Sequence, residues 1–245
     1  MTKQNAVVLQ FPGTNCDQDT VRWLARNLEL NVFLVRSSED LENIAPVKAS
    51  VIVLPGGFSF GDYLRAGALA ARSPLMNWVK DEARQGAAVL GICNGFQILC
   101  EAGLLPGALT HNITQQHVHQ FVTVHVETNV NSPWSPDLSH SSRLLTLPIS
   151  CGMGNYLSPR KRDEYRVLFR YTHNLLGSFE SIAGVSNPEG NVVGMMPHPE
   201  RASDPVLGAT DGLYILDALA RQLNLEVRHG GPLDIWRTLT SGKAS

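Results

Sequence analysis

Cys93 stands between Gly91 and Gly95 at the end of the apolar run Val89-Leu90-Gly91-Ile92, and a helical pattern from Asn94 to Leu99 begins directly after it. A nucleophile on a turn between strand and helix needs a tight backbone, and flanking glycines remove the Cβ atoms that would collide there. The helix start adds N–H groups and the positive end of a dipole, which favour thiolate over thiol. The chemistry on offer is attack by sulfur on an electrophilic carbon. A cysteine that merely fills the core at a strand end has the same local signature, and Gly-x-Cys-x-Gly alone does not separate the two readings.

A sulfur nucleophile needs a base. Met196-Pro197-His198-Pro199-Glu200-Arg201 supplies one at the carboxyl end of a predicted strand. In extended backbone, residues two apart face the same side, so Glu200 is placed to orient one ring nitrogen of His198 while the other faces the thiol. A surface loop whose histidine and glutamate meet only solvent is the competing reading of this short pattern. Pro55-Gly56-Gly57-Phe58-Ser59 follows another predicted strand, and its two glycines let backbone N–H groups approach a ligand closely. Gly56 is the substrate-side candidate there. Gly57 N–H is a candidate oxyanion donor, paired with the backbone N–H of Asn94 after the nucleophile. The loop lacks the Lys-Ser/Thr ending of a phosphate-binding loop, so it does not predict ATP binding.

These residues need a scaffold that brings distant loops together. Ala6 to Phe11, Asn31 to Val35, Ser50 to Leu54 and Ala87 to Ile92 are short branched-chain runs that suit strands buried on both faces. Helical spacing over Asp17 to Leu28, and a Ser73-Pro74 start to a helix through about Arg84, make the alternation strand-helix-strand. The expectation is an α/β fold: a three-layer, doubly wound, mostly parallel sheet of flavodoxin-like type, whose functional loops lie at the carboxyl ends of the strands. Beyond Gly103, Phe121 to Val126 alternates as a strand, and short strands are predicted near Leu144, Val167, Ile182 and Val192. Pro188 to Asn191 reads as a hairpin turn, Pro148 to Tyr165 as loop, and Thr210 to Leu223 as a closing helix. No repeat or linker divides the chain, which predicts a single domain over residues 1–245, with about 226–245 as an extension.

Composition excludes several classes. Lys and Arg number 20 against 22 Asp and Glu, a net charge of −2 that suggests neither a nucleic-acid surface nor a polyacidic partner. The four cysteines, Cys16, Cys93, Cys100 and Cys151, form no C-x-x-C pair, which fits reduced thiols and a cytoplasmic setting rather than a disulfide or zinc framework. No run reaches the ~18 apolar residues of a membrane span. His117-x-His119 has no carboxylate or cysteine at ligand spacing, so no metal is expected.

Taken together, Phe11-Pro12-Gly13-Thr14-Asn15-Cys16-Asp17, the run Pro55 to Ala68, Leu90 to Leu99, Leu105 to Leu109 and Gly194 to Arg201 resemble the class I glutamine amidotransferases, and among them the small glutaminase subunits of phosphoribosylformylglycinamidine synthase. The resemblance implies hydrolysis of L-glutamine and delivery of ammonia to a separate synthetase subunit. It implies no cofactor in this chain, with ATP and magnesium used by the synthetase, and a small accessory subunit as a further partner. By the same resemblance Cys93 is the nucleophile, His198 the base then acid, Glu200 its orienting partner, and Gln97 a residue that helps hold glutamine.

The sequence also departs from that family. Ile149-Ser150-Cys151-Gly152-Met153-Gly154-Asn155-Tyr156 stands where Ile-Ala-His-Gly-Glu-Gly-Asn-Tyr is usual, exchanging an imidazole for a thiol and a carboxylate for a thioether. His173 to Ser178 also differs from the usual Asn-Pro-Asn-Gly-Ser turn. Cys100, seven residues after Cys93 on the same helix face, reads as core. A non-catalytic regulatory paralogue and a standalone cysteine amidase are the rival functions.

Overall fold

A computed structural model of the chain describes residues 3–44, 48–127, 130–136, 143–158 and 162–227. The first half alternates strands and helices: β1 (Gln4–Leu9), α1 (Asp17–Asn27), β2 (Leu30–Val35), α2 (Ser38–Ile44), β3 (Val51–Leu54), α3 (Pro74–Arg84), β4 (Ala88–Ile92) and α4 (Asn94–Glu101). The second half is strand-rich: β5 (Ala108–Thr110), β6 (Val118–Val126), β7 (Leu144–Cys151), β8 (Asn155–Leu157), β9 (Arg166–Tyr171), β10 (Ile182–Ser186) and β11 (Val192–Met195), closed by α5 (Leu213–Leu223).

Nine strands form one sheet in the order β2-β1-β3-β4-β11-β10-β9-β6-β7. Its first five strands are parallel, an order of the flavodoxin-like kind with β11 in the fifth place. The remaining pairings are antiparallel, so the sheet continues as hairpins. The residue patterns explain the division. Every residue of β3, β4, β10 and β11 is buried, as their Val- and Ile-rich runs require between covering layers. In β6 and β7 the buried positions alternate with partly exposed ones, as one-sided strands do. Ser73 caps α3 by accepting the Leu75 N–H at 3.3 Å, with Pro74 in the first turn.

Two expectations need correction. Pro148 to Tyr165 is not simply loop: it contains the end of β7 and all of β8, which pairs with β5. Pro148 is tolerated because β7 ends the sheet, where a missing N–H breaks no second ladder. The closing helix starts at Leu213, after turns at Thr210 to Gly212. Residues 228–245, most of the anticipated extension, lie outside the described residues.

Candidate active site

Strand register brings the two halves of the site together. Met195 pairs with Ile92 in the parallel ladder between β11 and β4, so both chains leave the sheet at the same level. One residue later on β4 is Cys93; three residues later on β11 is His198. The Cys93 N–H donates to the Met195 carbonyl at 2.8 Å, which fixes the elbow to the strand carrying the histidine.

Cys93 itself has φ 50° and ψ −104°, a conformation that costs a non-glycine residue roughly 1–3 kcal/mol and is held only by its surroundings. The flanking glycines are required by close approach. A Cβ on Gly95 would lie 1.9 Å from the Leu54 carbonyl oxygen, and one on Gly91 would lie 2.6 Å from the Gly95 backbone. The thiol is 6 % exposed and faces the Ser150 carbonyl oxygen at 3.7 Å. Burial raises its pKa, while the neighbouring His198 opposes that shift.

His198 Nδ1 lies 2.6 Å from Glu200 Oε1, both side chains out of water. They meet through a short 3₁₀ turn, Pro199–Arg201, and not through the continuous extended backbone expected from the sequence. Pro199 presets that turn's φ. Burial alone would depress the imidazole's proton affinity, but the Glu200 carboxylate and Cys93 reverse this and raise it to about 10. Nε2 has no hydrogen-bond partner among the described residues, which leaves it free for a proton on the thiol side.

The loop after β3 packs on the imidazole. A Cβ on Gly56 would lie 2.6 Å from His198 Cε1. Gly57 has φ 144°, and a Cβ there would meet the Asn15 N at 2.7 Å, so only glycine fits this crossing. Asn94 ties the loop to the elbow: its Oδ1 accepts the Ser59 N–H at 3.0 Å, and its Nδ2 donates to Gln97 Oε1 at 2.8 Å. No turn or loop hydrogen bond among the described residues uses the N–H of Gly57 or Asn94. Gln97 Nε2 donates to the Met153 carbonyl at 2.7 Å, so this side chain bridges the elbow helix and the turn after β7.

Residues 3–210 match the family of CobB/CobQ-like glutamine amidotransferase domains. The chain belongs to that glutamine amidotransferase family. Among relatives, a protein of Aquifex aeolicus named phosphoribosylformylglycinamidine synthase subunit PurQ is 48 % identical over 222 residues, covering 85 % of this chain and 95 % of the relative. One of the same name from Trichormus variabilis is 44 % identical over 224 residues, covering 88 % and 96 %. A chain of the Thermotoga maritima PurLQS structure superposes with a TM-score of 0.82 at 38 % identity, covering 91 % of this chain and all of that one. The α/β fold read from the sequence is that of this family.

The amidotransferase's unusual Cys151-Gly152-Met153 segment keeps its turn through backbone contacts. Asn112 clamps it: its Nδ2 donates to the Cys151 carbonyl at 2.8 Å, its Oδ1 accepts the Gly154 N–H at 2.9 Å, and its own N–H donates to the Gly152 carbonyl at 3.0 Å. None of these bonds uses the side chain of Cys151 or Met153. His117, weighed above as a metal ligand, instead shares a 3.0 Å hydrogen bond with Ser150 Oγ.

Sequence reasoning missed two neighbours of the imidazole-carboxylate pair. Cys16 Sγ, His198 and Glu200 donor atoms lie within 4.8 Å of one another, and Arg201 Nη2 approaches Cys16 Sγ at 3.1 Å. Burial, with the Glu200 charge, pushes the Cys16 thiol up to about 12, so it is a neutral packing group against the pair. The carboxylate and imidazole already bond to each other, which occupies two of the three donors. Cys16 lies 182 positions before His198, and only its place in the Phe11-to-Asp17 motif hinted at the site. A cleft of about 870 Å³ opens beside the pair, bordered by Trp23, Phe121, His198, Glu200 and Arg201; Cys93 and Gly57 do not line it. Among the described residues, no helix is long and apolar enough to cross a membrane.

Proposed function

We propose that this amidotransferase hydrolyses L-glutamine to glutamate and ammonia at Cys93, and supplies the ammonia to a separate ATP-dependent synthetase subunit that converts formylglycinamide ribonucleotide to formylglycinamidine ribonucleotide in purine biosynthesis. The observation that carries the chemistry is a thiol on a strained elbow beside an imidazole whose far nitrogen is held by a buried carboxylate at 2.6 Å.

The steps follow from that geometry. The Cys93 proton is held on His198 Nε2, whose proton affinity the Glu200 carboxylate raises, and sulfur attacks the side-chain amide carbon as the thiolate. Backbone N–H groups of Gly57 and Asn94 hold the oxyanion that forms, while Gly56 and Gln97 border the substrate. Protonated His198 then gives its proton to the departing nitrogen, and ammonia leaves with a glutamyl thioester on Cys93. Water, deprotonated by the same imidazole, hydrolyses the thioester and restores the thiol. Glu200 stabilises the imidazolium at both stages.

The names of the relatives, and the PurLQS structure whose chain superposes, support a synthetase partner and an accessory subunit. The chain offers an apolar rim for such a partner: Tyr63 and Leu64, on the loop that carries Gly56 and Gly57, are 75 % and 88 % exposed. In this reading the chain needs no cofactor of its own, ATP and magnesium belong to the synthetase, and the whole chain works as one type 1 domain in the cytoplasm. The test is glutamine hydrolysis by the full chain with and without the synthetase subunit. Hydrolysis that rises with the partner and vanishes in Cys93→Ala is expected; equal rates in wild type and Cys93→Ala would overturn the reading.

A further inference from the structure

A second buried thiol lies beside the nucleophile. Cys93 Sγ is 3.7 Å from the Ser150 carbonyl oxygen. The next Cα lies about 2.8 Å from that oxygen across a trans peptide, which puts the backbone of Cys151 within about 6.5 Å of the nucleophilic sulfur. Side-chain alternation along β7 sends the Ser150 hydroxyl out to His117, and therefore the Cys151 thiol inward, into the packed cluster that also contains Cys93. Cys151 is 4 % exposed, and its sulfur packs where a Cβ on Gly154 would lie, 2.7 Å away. It closes β7 and is followed by Gly152, where a Cβ would meet only His117 Nδ1, at 3.8 Å.

The mechanism above has no use for this thiol. We propose that Cys151 is a resolving cysteine, which closes a reversible disulfide with Cys93 when the nucleophile is oxidised by a peroxide. The inference rests on Cys93 being the nucleophile. In the first step the Cys93 thiolate attacks one peroxide oxygen: an S–O bond forms, the O–O bond breaks, and the departing oxygen leaves as water after taking the proton that the thiol gave up. In the second step Cys151 sulfur attacks the sulfenic sulfur: the S–S bond forms, the S–O bond breaks, and the Cys151 proton leaves with the oxygen as a second water. Two thiols are oxidised by two electrons and one peroxide is reduced to two waters. A dithiol reverses the disulfide by exchange. Tyr171 borders this pair: its buried hydroxyl has no hydrogen-bond partner among the described residues, and burial first, then the two sulfurs, raise its proton affinity, so it is available to donate to the sulfenic oxygen. Burial pushes the Cys151 thiol up to about 12, which makes the second step the slow one.

The test treats the reduced full chain with hydrogen peroxide, blocks free thiols, and maps peptides without reduction. The expected result is a mass loss of two hydrogens, a Cys93–Cys151 cross-linked peptide, and labelling of Cys93 by a diazoketone analogue of glutamine that is lost on oxidation and regained with dithiothreitol. In Cys151→Ser and Cys151→Ala, labelling of the reduced protein persists, but oxidation leaves Cys93 as sulfinic acid that dithiothreitol does not recover. Sulfinic acid at Cys93 in the wild type without a cross-link, or a cross-link from Cys93 to Cys16, overturns the proposal. Failure of the analogue to label reduced Cys93 would instead sink the nucleophile assignment, whatever the disulfide result.

Discussion

His198 Nδ1 and Glu200 Oε1 lie 2.6 Å apart in a pocket closed to water, and that contact makes the imidazole a stronger base than burial alone would allow. Replacing the carboxylate by an amide keeps the shape and removes the charge. Glu200→Gln is therefore expected to lose about 10²- to 10⁴-fold in glutamine turnover. NMR titration of His198 checks the cause: its pKa falls from about 10 in the variant's absence of the carboxylate.

Gly56 tests positioning without touching a charged group. A Cβ there would lie 2.6 Å from His198 Cε1, so Gly56→Ala pushes the ring off the thiol. Turnover is expected to drop about 10²-fold, the usual cost of an ångström-scale misplacement. Thermal unfolding of the same variant separates misplacement of the ring from lost stability; a variant as active as wild type would show that the loop moves instead of the ring.

Asn94 bonds through its side chain to Ser59 and Asp62 on the loop after β3 and to Gln97 on its own helix, and is buried. Asn94→Ala leaves the Ser59 N–H and Gln97 Oε1 without this partner, and is expected to cost about 1–3 kcal/mol of stability. Urea unfolding reads that loss directly. The backbone N–H of residue 94 survives the substitution, so turnover per folded molecule should fall less than in Gly56→Ala.

Alkaline stability follows from the buried thiols. Burial pushes Cys16 and Cys151 up to about 12, whereas an unfolded chain releases thiol protons near pH ~8.5. The folded state then holds protons that the unfolded state has lost, and stability declines as pH rises from about 8.5 towards 12. The melting temperature is expected to fall over that range, with a shallower slope in Cys151→Ala. An unchanged slope would mean that Cys151 is not shielded from water.

Much of this was legible in the sequence because local rules sufficed. The buried run of β4, the glycines around Cys93 and the helix after it specify an elbow within eleven residues, and the apolar runs Ala6 to Leu9 of β1, β3 and β4 specify a parallel sheet. What was illegible depends on contacts across the chain. The seven-residue α2 shows only Leu41 and Ile44 as helical anchors, too few for a period to stand out. The end of β7 was masked by Pro148 and the glycines after it, whose loop signal is overridden by pairing with β6. Cys16 and Tyr171 carry no spacing signal at all; only folding places them at the site. The turn of Glu200 towards His198 was anticipated in outcome but through different backbone, because Pro199 starts a 3₁₀ turn.

The most direct test of the account is to mix the full chain with its synthetase partner and L-glutamine, quench in acid, and map the cysteines by mass spectrometry. The account predicts one glutamyl group on Cys93, increased in abundance when deacylation is slowed and absent from Cys16, Cys100 and Cys151. Glutamine turnover with no glutamyl group at Cys93 under any quench time, or persisting in Cys93→Ala, would contradict it.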